Sequence, residues 1–203
     1  VIPQTNYHNG RDGESIEGTI IHWTTGTLSS ALAHFSSPSA RLSAHYIIDQ
    51  DGTIVPVVAE RDTAYHAGDW MTNLRTIGIE HVAGPSRSPT DAQYAASARL
   101  HRELSARYGF ALDAQHIRPH RTIVATQCPG TIDVDRIVRE ASQEEEMTDE
   151  EFRRRWLAVY ADIEAAKLFD TLKQRDADLA SDIALHKHDI PIVQTDTAKL
   201  PPR

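Results

Sequence analysis

The chain has 203 residues, enough for one core of ordinary size with a small appendage. Its net charge of −8 argues against a nucleic-acid partner, and no apolar run is long enough to span a bilayer. The single cysteine, Cys128, rules out an intrachain disulfide framework.

The start, VIPQTNYHNGRDG, has neither a basic nor an apolar leader-like run, so no signal peptide is expected. Residues 1–17 read as a polar lead-in rich in turn formers. Gly18–Thr25, GTIIHWTT, is β-branched and apolar and predicts a buried strand. Leu28–Phe35 predicts a short helix after the Thr25-Gly26-Thr27 turn, and Ser36–Ser43 a Ser/Pro loop. His45–Asp49 and Thr53–Val58 flank Asp51-Gly52 and predict a hairpin. Thr63–Ala67 reads as short and irregular, and Gly68–Leu74 as a loop. Thr76–Val82, TIGIEHV, predicts another strand. Thr90–Tyr108 predicts a long helix, because Thr90 and Gln93 form a capping box and Gly109 sits where a C′ glycine belongs. Ala114–Arg118 reads as a short strand. Asp133–Ala141 is helical, with Val134, Ile137, Val138 and Ala141 on one face.

A junction falls near residue 142. Residues 1–142 hold twelve arginines, nine of the eleven histidines and no lysine. Beyond an acidic stretch, Phe152, Trp156, Val159, Tyr160 and Ile163 recur at helical spacing, followed by Leu168, Leu172, Leu179 and Ile183. Residues 190–203 read as a tail with three prolines. The expected layout is one main domain over 1–142, then a linker, helical element and tail over 143–203. The fold class is α/β: a mixed central β-sheet flanked by helices, with a small helical C-terminal appendage. One apolar stripe cannot be buried by a helix alone, so self-association through the C-terminal helix is one expectation.

The chemistry concentrates in His116–Gly130, HIRPHRTIVATQCPG. A thiol eight residues after His120 is a candidate soft-metal pair, and a zinc site needs at least three protein ligands. His22 is the third candidate. Each has a plainer reading: His22 as a satisfied core histidine, Cys128 as a small buried hydrophobe, His120 as a loop residue. Together, His2Cys with an open fourth position matches a catalytic zinc pattern.

The motifs GTIIHWT, SAHYIIDQDGTI, YHAG, TIGIEHV and HRTIVATQCPG occur in the order and spacing of the zinc-dependent N-acetylmuramoyl-L-alanine amidases. The chain resembles that amidase-2 group, related to peptidoglycan recognition proteins, over roughly residues 15–140. The resemblance implies a peptidoglycan substrate, cut between N-acetylmuramic acid and L-alanine, and Zn2+ held by His22, His120 and Cys128. It makes Glu80 the proton shuttle, although strand alternation alone would point that carboxylate to solvent. Some relatives use a tyrosine where this chain has Ala44, and Tyr46 does not match that position. Thr126, two residues before the last ligand, is expected to help hold the carbonyl oxygen. His45, His66, Trp23 and Asn73 are expected on the substrate side, and His81, His101 and His116 as structural. The setting implied is a phage or prophage endolysin, kept in the host cytoplasm until a holin-type route releases it to the wall. The alternatives are a cytosolic amidase recycling muropeptides and a non-catalytic peptidoglycan-binding module.

Overall fold

A computed structural model describes residues 2–143 of the chain. The helical readings over 148–188, the tail and the self-association expectation lie outside the described residues. Among the described residues, no helix is long and apolar enough to cross a membrane.

The elements in chain order are β1 (Tyr7–His8), β2 (Gly18–Trp23), α1 (Leu28–Phe35), β3 (Tyr46–Ile48), β4 (Ile54–Pro56) and β5 (Thr63–Ala64). There follow α2 (Trp70–Arg75), β6 (Thr76–His81), α3 (Asp91–Tyr108), β7 (Ile117–Pro119) and α4 (Val134–Ser142). Five strands form one sheet in the order β4-β3-β6-β2-β7. Its strands are parallel except β4, which returns antiparallel to β3. A mixed sheet flanked by helices is therefore the observed architecture.

The two central strands explain their own composition. β2 and β6 have neighbours on both sides and helices over both faces, so they read as near-continuous apolar runs. Ile20, Ile21, Ile77 and Ile79 are fully buried, each stabilising the fold by about 1.5–3 kcal/mol. On one face, Ile21, Ile48, Ile77, Ile79 and Ile117 pack against Leu100 and Leu104 of α3 and Ile137 of α4. On the other, Ile47 and Val82 pack with Ala31 and Phe35 of α1.

Helix α3 starts and stops where its caps predict. Thr90 accepts from the Gln93 N–H, Gln93 answers with its side chain, and Gly109 takes the left-handed conformation at φ 78°. The Gln93 amide also donates to the Ile48 and Val82 carbonyls, fastening the helix start to the sheet.

Two regions differ from the sequence reading. Gly68–Leu74 is not simply a loop: Asp69 caps the Thr72 N–H and starts α2. The helix is six residues long and exposes Trp70 and Met71, so it carries no apolar period to detect. The lead-in is also packed. Asn6 is buried, donates to the Phe35 and Ser37 carbonyls and accepts from the Arg41 N–H, while β1 pairs with β5.

Candidate active site

Parallel strands place side chains of paired residues on the same face. His22 of β2 pairs with Glu80 of β6, and Ile20 with Gly78, so His22 and Glu80 stand side by side near the strands' C-terminal ends. His120 follows β7 directly, in a short 3-10 turn. The loop after it folds back through the bond from the Arg121 N–H to the Cys128 carbonyl, 2.9 Å, and returns the thiol to the same place. Strand ends, where open α/β sheets put ligands, thus gather all four groups.

Cys128 Sγ lies 3.6 Å from His22 Nδ1, and the His22 and His120 rings are 4.4 Å apart. One donor atom from each of His22, His120 and Cys128 lies within 4.8 Å of the others. Tetrahedral zinc with nitrogen and sulfur ligands needs donors about 3.3–3.8 Å apart, so the set fits with a small contraction. The electrostatics fit too. Burial, then the neighbouring His66, His120 and His81 rings, hold His22 well below the usual histidine range. Burial also lowers His120, against the Ala67 carbonyl. Both rings are therefore neutral and keep a lone pair. Burial pushes the Cys128 thiol up to about 12, with Glu80 adding to the rise. A thiolate there requires a cation beside it.

The hydrogen bonds assign the free lone pairs. Thr76 Oγ1 donates to the Thr72 carbonyl at 2.6 Å, so it is an acceptor towards His66 Nε2 at 3.5 Å. The proton of His66 therefore sits on Nε2, which the Thr76 backbone also favours, and Nδ1 is the acceptor. His22 Nε2 donates to that Nδ1 at 3.2 Å, leaving His22 Nδ1 free and facing the thiol. His120 Nε2 donates to the Ala67 carbonyl at 3.0 Å, leaving its Nδ1 free.

Glu80 is the anomaly of this face. Its Oε2 is sealed from solvent and has no hydrogen-bond partner among the described residues. Burial pushes its carboxyl up to about 8. The residue also lines a cleft of about 390 Å³ together with Trp23, Thr24, Thr25 and Gly26 and with Ser30, His34 and Phe35 of α1. Trp23 thus borders the cleft. Thr126 is exposed, and its Oγ1 accepts the Cys128 N–H at 3.2 Å, leaving its own proton to give. At the position where some relatives carry a tyrosine, Ala44 is fully buried, and Tyr46 sends its hydroxyl to Glu60.

Two residues expected on the substrate side are enclosed by the fold. His45 is 0 % exposed. Its Nδ1 accepts the Gly78 N–H at 2.9 Å, so its proton is on Nε2, facing the Asp62 carbonyl. The Arg11 guanidinium, 2.9 Å from Nε2, adds to burial in holding its pKa near 3. The ring has no exposed surface, and its surroundings disfavour the charged form. Asn73 is 6 % exposed, and its Oδ1 is taken by the His66 and Ala67 N–H groups. His66 is buried as well and reaches the site through His22. Three structural histidines lie elsewhere. His81 and His101 bond to Ser97 and Thr19 behind the sheet, and His116 pairs with Asp113.

Sequence reasoning passed over Gly78, which seats His66. A Cβ on Gly78 would lie 2.4 Å from His66 Cγ. Gly78→Ala must displace the ring or the strand, at an expected cost of about 1–3 kcal/mol for overpacking. Thermal unfolding checks this, and an unchanged melting temperature would contradict the contact.

The comparisons with known proteins are specific. A relative, N-acetylmuramoyl-L-alanine amidase A of Achromobacter lyticus, is 37% identical over 108 residues, 52% of this chain. The match spans 59% of that relative's length. The fold is similar to the catalytic domain of XlyA, with a TM-score of 0.58 at 20% identity, covering 70% of this chain and 95% of that one. It is also similar to AmiD of E. coli in complex with anhydro-N-acetylmuramic acid-L-Ala-D-gamma-Glu-L-Lys. There the TM-score is 0.55 at 23% identity, over 62% of this chain and 57% of that one. Residues 12–131, more than half of the chain and the whole of the site, match the family model of N-acetylmuramoyl-L-alanine amidase, and the chain belongs to that family.

Proposed function

We propose that the chain is a zinc-dependent peptidoglycan hydrolase. It cleaves the amide between the lactyl group of N-acetylmuramic acid and the L-alanine of the stem peptide. The observation that carries this is the convergence of His22, His120 and Cys128 beside Glu80, whose inner oxygen is unpartnered, at the edge of a cleft. The muramyl peptide bound to AmiD belongs to that protein, and family membership supports the same substrate class here.

His22 Nδ1, His120 Nδ1 and the Cys128 sulfur would hold the ion. When bound, zinc supplies Lewis-acid polarisation of the carbonyl and lowers the pKa of a water towards about 7. Glu80 takes a proton from the attacking water and returns it to the alanine nitrogen as the C–N bond breaks, leaving a lactyl carboxylate and a free amine. A carboxyl held high by burial suits the proton-returning half of that shuttle, and a cation bound beside it would favour the ionised form that takes the proton. Thr126 Oγ1–H is free to donate to the developing oxyanion. Trp23 forms one wall for the substrate.

Digestion of purified peptidoglycan tests the bond assignment. New alanine amino termini should appear without new reducing sugar ends. New reducing ends instead would make the chain a glycosidase, and no new ends of either kind would favour a binding module. The setting we propose is that of a phage endolysin. Muropeptide recycling is the alternative, and relative rates on intact sacculi and soluble muropeptide separate the two.

A further inference from the structure

We propose that Asn73 is a positioning residue of the metal centre, orienting both histidine ligands through one carboxamide oxygen. The inference rests on the zinc reading above. Asn73 Oδ1 accepts two consecutive backbone N–H groups, from His66 at 3.0 Å and from Ala67 at 2.8 Å. Each of those residues then supplies the outer partner of a different ligand. The His66 ring accepts from His22 Nε2, and the Ala67 carbonyl accepts from His120 Nε2. Both bonds do the same work: they hold the proton on Nε2 and leave Nδ1 free for an ion, and at His22 that Nδ1 faces the Cys128 sulfur. An outer hydrogen bond of this kind sets a ligand's tautomer and ring angle. Here a single side chain sets two.

The seat of Asn73 is itself fixed. Its helix, α2, is capped by Asp69 at one end. At the other, Arg11 is buried and donates to the Leu74 carbonyl at 2.7 Å and to the Asn73 carbonyl at 3.4 Å. The absent side chain of Gly78 leaves room for the His66 ring. The carboxamide therefore has no freedom to seek other partners. Its burial explains why it faces the loop 66–67 and not the cleft.

The test is zinc affinity of the full chain, measured by competition with a chromophoric chelator, with visible absorption of the cobalt(II)-substituted protein as a second readout. Asn73→Leu removes the acceptor, and Asn73→Asp keeps one. Loss of outer-shell support costs about 10–100-fold in metal affinity, and Asn73→Leu should fall in that range with an altered cobalt spectrum. Asn73→Asp should recover most of the affinity and the parental spectrum. A residue that only anchored the loop would lower the melting temperature of the metal-free protein and leave both metal readouts unchanged. That outcome overturns the proposal. If Asn73→Leu does not fold, His66→Phe against His66→Asn carries the test. Asparagine keeps an acceptor near the position of Nδ1 and phenylalanine does not. Equal zinc affinity in both would overturn the proposal. Parental protein that binds no zinc would instead fail the metal reading, and the two failures are told apart by that first titration.

Discussion

Replacing Glu80 with glutamine should lower turnover by about 10²–10⁴-fold, the usual range for a general acid–base, while the protein keeps its zinc. The same change should stabilise the metal-free protein at alkaline pH. The folded-state carboxyl is raised to about 8 by burial, and an unfolded glutamate titrates near about 4.3. The folded form therefore holds a proton that the unfolded form has lost. Stability from this group is fully present below the unfolded value and is lost as pH rises through the folded one. Glutamine is neutral throughout and escapes that loss. Melting curves of metal-free parent and Glu80→Gln should diverge between about pH 5 and pH 8, with the variant the more stable at the upper end. Near-normal turnover in Glu80→Gln would make Glu80 a structural carboxylate. Thr126→Ala should cost less than Glu80→Gln, because a neutral hydroxyl supplies one hydrogen bond and no proton transfer.

Cys128→Ser should be the other large effect. At limiting zinc the variant should lose both the ion and the activity, since a hydroxyl is a poor replacement for a thiolate. The thiol stays protonated at neutral pH in the metal-free site, so metal uptake must release its proton. Zinc affinity of the parent should rise with pH, and the variant should lack the thiol's contribution to that rise. Metal analysis after dialysis against a weak chelator, repeated at pH 6 and pH 8, checks both points. A variant that retains stoichiometric zinc and full turnover would remove Cys128 from the ligand set.

The motif-bearing strands were legible because burial on both faces leaves a run that reads at once. GTIIHW and TIGIEH became β2 and β6, the pair that carries His22 and Glu80. Helix α3 was legible through its caps. Helix α2 was not, because six residues with two exposed apolar side chains leave no period.

At the candidate site, residue types at family spacing marked out the donors that the fold brings together. What could not be read was the order of the shells. His45 and His66 sit in motifs of the same family set as the ligands' motifs, with Asn73 close by, and nothing in one dimension separates a residue facing the cleft from one behind it. Burial makes that distinction. His45 is closed in by Arg11 and Gly78, and Asn73 is spent on two backbone N–H groups. Strand alternation also misled at Glu80: it separates the two faces of β6 but cannot tell that α1 covers the face on which Glu80 lies.

The central claim is that this histidine–histidine–cysteine cluster drives amide hydrolysis at N-acetylmuramoyl-L-alanine. The most direct measurement strips the protein of metal and returns zinc stepwise, following alanine amino termini released from peptidoglycan. Release should start from nothing and climb in proportion to added zinc, then break at about one ion per chain, as expected for a single tetrahedral site. Undiminished release from the stripped protein, or none at any zinc level with the fold intact, would contradict the account.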